Sequence, residues 1–154
     1  MKTWFRWILL ALTIGGGFTG LVVTVQAMFQ SEGASFFQFL LFGGFAALYL
    51  FTVVSGLLFA DNPKCTIPLM IVLILQIPWI SSPILTYTFC AGFRITAGLV
   101  SGRFAASWRF GSDWQVFILQ GQPWGAGINL FAALVLVLLL RFTRTPDAVP
   151  GPTE

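Results

Sequence analysis

The chain has 154 residues and a net charge of +3, with 57% hydrophobic residues and 8% charged ones, against roughly 25% charged in ordinary soluble domains. That balance excludes a soluble fold, and eight Lys and Arg standing singly exclude direct nucleic-acid binding, which needs a denser basic track. With no histidine, five carboxylates and two cysteines, most of the side chains that build catalytic and metal centres are missing.

Four apolar blocks separated by short polar breaks fill most of the chain, and each is long enough to cross the roughly 30 Å hydrocarbon layer as a helix. The first runs over residues 7–28 behind Lys2 and Arg6. Those flanks, and Val25-Gln26-Ala27, suit a cleaved signal, but an apolar region of about 19 residues exceeds the usual 7 to 15, so a retained helix is expected. Blocks two (36–60) and three (67–91) are joined by a turn over 61–66, with Pro68 in the first turn of the third helix, where its missing N–H costs nothing. Block four covers 125–140, between Trp124 and the pair Arg141 and Arg144.

The expected fold is therefore all-α: a four-helix transmembrane bundle over residues 1–144, followed by a disordered cytoplasmic tail at 145–154. With both termini inside, Lys2, Arg6, Lys64, Arg141 and Arg144 lie on the cytoplasmic side, and Arg94, Arg103 and Arg109 lie outside, where the first loop offers only Glu32. Trp4, Trp7, Trp108, Trp114 and Trp124 then fall near an interface as anchors. This places the chain as a multi-pass protein of a bacterial inner membrane. The two halves share no repeat, which disfavours an inverted-repeat transporter.

Within block three, Pro78 and Pro83 each remove a helical N–H and crowd the carbonyl four residues back, so a kink or break is expected. Gln76, Ser81 and Ser82 stand beside it as polar groups that could line a path or satisfy the freed backbone. Small residues at Gly16, Gly20, Gly43 and Gly44 permit close helix packing, Gly16 and Gly20 forming a GxxxG pair. No carboxylate, Lys or Arg stands in a block centre, so a proton relay or voltage sensor is not expected.

The outer loop, 93–123, carries the third feature. Residues 94–102 read as an amphipathic extension of the third helix, and residues 104–119 as a β-hairpin turning at Gly111-Ser112-Asp113. Trp108, Phe110, Trp114 and Val116 form its expected buried face; Arg103 and Arg109 face lipid phosphates or an acidic ligand. The segment reads as an interfacial cap that closes the bundle or as a recognition surface of Arg103, Trp108, Arg109 and Trp114, since loops this long are more often functional than structural.

Cys65 and Cys90 fall on opposite sides of the membrane and read as inert thiols, so neither a disulfide, a metal site nor a cofactor is expected. The tight group Asp61, Lys64 and Cys65 reads as a turn with a surface ion pair, and the chain as no enzyme. The functional expectation is a homo-oligomeric scaffold or sensor subunit coupling its outer loop to a cytoplasmic protein partner, in envelope stress or phage defence. The alternative is a homo-oligomeric channel or small transporter lined by the broken third helix.

Overall fold

The computed structural model describes residues 3–31, 33 and 35–144. The tail at 145–154 and the charges Lys2 and Glu32, used above for orientation, lie outside the described residues. Two long apolar helices come first. Helix α1 spans Thr3–Gln30, with one π-helical turn over Ala11–Gly15, and α2 spans Phe36–Asp61. At 1.5 Å per residue they are about 42 and 39 Å long, and both are long and apolar enough to cross a membrane.

A capping box starts α2: Ser35 Oγ accepts from the Gln38 N–H, and Gln38 Oε1 accepts from the Ser35 N–H. At its other end Arg6 Nη2 donates to the Ala60 carbonyl at 2.7 Å, setting a cation against the negative end of the helix dipole. The buried hydroxyls of Thr13, Thr24, Thr52 and Ser55 each bond the carbonyl four residues back, so none needs a partner elsewhere.

Two short helices lie at the same end, α3 over Ile67–Gln76 and, last in the chain, α4 over Leu130–Arg144. Phe5 and Leu9 of α1, Phe59 of α2, Leu69 and Leu73 of α3, and Val135 and Leu139 of α4 make one buried cluster. Four helices thus meet, but only over this short base.

The expected all-α four-helix bundle is overturned by the rest of the chain, which is a six-stranded antiparallel sheet: β1 (Pro78–Ser81), β2 (Leu85–Cys90), β3 (Phe93–Val100), β4 (Arg103–Phe110), β5 (Asp113–Ile118) and β6 (Gly125–Asn129). Block three ends its helix at Gln76. Ile77 keeps a helical backbone, at φ −70° and ψ −50°, but Pro78 lacks the N–H that would continue the ladder, and the residues beyond Pro83 alternate β-branched and aromatic as Thr86, Tyr87, Thr88, Phe89. The helix is therefore stopped rather than kinked. Three carbonyls at this end find partners: Ile74 in the Ile77 N–H, Leu75 in the Tyr87 hydroxyl, and Ile77 in the Asn129 N–H. Likewise the first five residues of block four, Gly125 to Asn129, are strand, and the helix starts at Leu130.

Strands β2 to β5 are one long hairpin folded over. The register from Leu85↔Ile118 to Cys90↔Asp113 continues without slip from Phe93↔Phe110 to Val100↔Arg103. Its tip is Ser101-Gly102, both at positive φ (50° and 76°), the two-residue turn that matches strand twist. The expected turn at Gly111-Ser112-Asp113 is instead the bend of this hairpin, opposite Ala91-Gly92, and the expected helical extension over 94–102 is strand β3. Strand order is β4-β3-β6-β1-β2-β5, so β6 and β1 lie between two strands that the bend joins directly, and the sheet curls on itself.

The bend is where sheet and helices meet. The Tyr49 hydroxyl donates to the Cys90 carbonyl at 3.0 Å, the Ala91 N–H donates to Gln76 Oε1 at 2.9 Å, and the Ser112 hydroxyl donates to the Gly16 carbonyl in a short bond. A Cβ at Gly16 would stand 2.6 Å from the Gly92 nitrogen, and one at Gly20 2.0 Å from the Tyr49 ring. These two glycines serve close packing, whereas nothing described lies within 4 Å of a Cβ at Gly43 or Gly44.

Candidate functional site: a groove along the sheet edge

Strand β5 pairs with β2 on one side and forms an edge of the sheet on the other. Trp114 anchors it to the helical pair, stacking on Phe45 with ring centroids 4.4 Å apart and planes 13° apart, while Phe42 meets the same indole edge-on at 5.6 Å. Above this contact strand and helices diverge, leaving an open groove of about 420 Å³.

All six residues of β5, Asp113 to Ile118, line this groove. Successive side chains of a strand point to opposite faces, so a cavity touching six in a row runs along the edge itself, where backbone N–H and C=O groups are presented. The facing wall is apolar, with Val23 and Ala27 of α1 and Phe37, Leu41 and Phe42 of α2; Gln38, Gln115 and Gln120 add amide donors and acceptors. An apolar wall, a few polar groups and a free strand edge are what an extended peptide needs for pairing.

At the head of the groove, Asp113 Oδ2 meets two guanidinium groups, Arg109 Nη1 at 2.5 Å and Arg94 Nη2 at 3.4 Å. The Arg94 side chain is 13% exposed and the Arg109 side chain 56%. Beside them Cys90 is buried, and desolvation pushes its thiol up to about 12, with the positive charge of Arg94 pulling the other way. Such a thiol is not a nucleophile at neutral pH. Burial likewise raises the Tyr87 phenol.

The residues singled out in the sequence do not gather at one place. Gln76 holds the bend, the Ser81 hydroxyl donates to the Pro123 carbonyl, and Ser82 closes a turn through both backbone groups of Leu85. Pro78 opens β1, and the Pro83 carbonyl accepts from the Gly121 N–H. Within the chain these residues join segments.

Trp114 lies in the groove and Arg109 at its head, but Arg103 and Trp108 stand on β4, the opposite edge of the sheet. The expected buried face is half corrected: Trp114 and Val116 pack against the helices, whereas Trp108 and Phe110 are 75% and 84% exposed. The bend parts them, sending β4 away from the helices and β5 along them. Val23, Ala27, Phe37, Leu41 and Phe42 are site residues that sequence reasoning misses, since an apolar helix face carries no mark of what it covers. Comparison with known proteins gives no match to any family, curated protein or solved structure.

Proposed function

We propose that the chain is a non-enzymatic, multi-pass membrane protein whose extracytoplasmic sheet recognises an extended apolar segment of a partner polypeptide by strand addition along β5. It acts as a sensor or scaffold subunit and reports occupancy of the groove to a cytoplasmic partner. The observation that carries this reading is that every residue of β5 lines the groove, which presents the edge of that strand beside an apolar wall. The helices support the membrane placement. Arg6, Lys64 and Arg141 lie in or beside the helices at the base, on the side that the distribution of positive charge makes cytoplasmic, and Arg94, Arg103 and Arg109 all belong to the sheet. The groove wall belongs to α1 and α2, the two long helices, so a ligand wedged there bears on elements that reach the other face of the membrane. The groups that suggested a channel, Gln76, Ser81 and Ser82, are engaged in joining chain segments, so the scaffold or sensor reading is preferred.

The test is site-directed photocrosslinking in native membranes, with benzoyl-phenylalanine at Gln115 or Phe117 on β5 and at Phe104 on β4. The β5 positions are expected to give an adduct whose mapped site is an extended polypeptide segment. Adducts to lipid alone, or adducts equally strong from Phe104, sink the proposal.

A further inference from the structure

On one face of the sheet, where the Trp79 ring of β1 lies over Gly125 and Gly127 of β6, a second cavity of about 160 Å³ is lined by Trp79, Arg94, Thr96, Gly98, Ala105 and Ser107 among others. We infer that this cavity is a binding site for a small oxyanion, a phosphate or carboxylate group held by the Arg94 guanidinium and the Thr96–Ser107 hydroxyls. The cavity is separate from the groove, and Arg94 touches both, lining the cavity and meeting Asp113 at the head of the groove.

Three observations converge. First, the charge does not balance: Arg94 and Arg109 share one carboxylate oxygen of Asp113, which leaves one positive charge over. Second, the Arg94 Nε–H is buried and finds no hydrogen-bond partner among the described residues. A buried charged donor without an acceptor is costly, and the Nε–H is left to donate to an oxyanion beside Nη2, which lies 3.4 Å from Asp113 Oδ2. Third, Thr96 Oγ1 and Ser107 Oγ lie 2.7 Å apart and share one hydrogen bond, so one O–H remains to donate. Its alternative acceptor, the Ser107 carbonyl, is 3.4 Å from Thr96 Oγ1. The volume holds about five waters at 30 Å³ each, enough for an oxyanion with part of its hydration. Gly98 also lines the cavity, and a Cβ there would stand 2.3 Å from the Ala126 carbonyl oxygen of the neighbouring strand, so only glycine fits.

A free anion and a lipid headgroup offer the same chemistry, and two arms of one experiment separate them. The full chain in maltoside detergent is titrated calorimetrically with sodium phosphate, with sodium chloride at equal ionic strength as reference. In parallel, the protein extracted from membranes is weighed by native mass spectrometry for retained phospholipid. Both arms are repeated on Arg94→Gln, which leaves Asp113 paired to Arg109, and on Ala105→Leu, which fills the cavity and leaves every charge in place. Saturable phosphate binding, weakened about tenfold or more in Arg94→Gln and lost in Ala105→Leu, establishes a site for the free ion. A single phospholipid retained by the native protein and lost in both variants establishes a headgroup site. If neither ligand binds, or if binding survives either substitution, the inference is overturned.

Discussion

Tyr49 and Cys90 lie 41 positions apart, and the phenol of the first donates its hydrogen bond to the backbone carbonyl of the second inside a fully buried contact. The bond fastens the middle of a long apolar helix to the bend of the folded hairpin, and the packing around it is equally close. Shape complementarity and this hydrogen bond together hold the junction between helix and sheet.

Glycines on the two helices should respond in opposite ways. Gly16→Ala sets a methyl 2.6 Å from the backbone of Gly92, which cannot rotate aside, and is expected to cost roughly 1–3 kcal/mol or more. Gly43→Ala meets nothing described within 4 Å and should be neutral or stabilising by up to about 1 kcal/mol. Reversible unfolding in mixed micelles measures both, and equal effects would contradict this packing.

Tyr49→Phe keeps the ring against Phe89 and removes only the donor. Leaving the Cys90 carbonyl without it should cost about 1–3 kcal/mol, read in the same assay.

Cys90 should resist maleimide at neutral pH while half-buried Cys65 reacts, giving one labelled thiol in the folded protein and two after denaturation. The fold holds the neutral thiol, its value raised from 9.0 to about 12. Stability from this group is therefore complete below pH 9 and falls as pH rises from 9 to about 12, where the unfolded chain gives up a proton that the folded one keeps. Comparing native and Cys90→Ala proteins across that window isolates the effect.

Asp113→Asn removes the one carboxylate shared by Arg94 and Arg109. Arg94 is left largely buried and uncompensated, at an expected cost of roughly 3 kcal/mol. Asp113→Asn with Arg94→Gln should restore much of that, and a double-mutant cycle gives the coupling.

Hydropathy makes the two long helices legible, and the charges place their ends. Beyond Gln76 it misleads, because the apolar run of the short helix carries on into the strands through Ile77, Trp79, Ile80, Ile84 and Leu85, and short buried runs give no usable period. Pro78 carries the missing signal: it stands where a strand begins, and the run Thr86, Tyr87, Thr88, Phe89 beyond it favours strands. The turn is misplaced because Gly111-Ser112 and Ser101-Gly102 are similar dipeptides, and only the eight-pair register on one side of the bend and six on the other distinguish tip from corner. Trp114 and Arg109 are legible from sequence as members of the candidate site. The helical wall is not, because facing a groove and facing lipid ask for the same residues.

The position of β6 between β3 and β1 also sets an order of events during synthesis. Until Gly125 to Asn129 leave the ribosome, the other five strands form two ribbons with an unfilled gap, and β1 has only its short pairing with β2 to hold it. The residue after β6 is the first of α4, so filling the gap in the sheet and bringing the last apolar helix to the buried cluster at the base are a single step. A chain stalled before residue 125 therefore carries two long apolar helices already made and four open strand edges, which makes it a substrate for quality control and not a partly working protein.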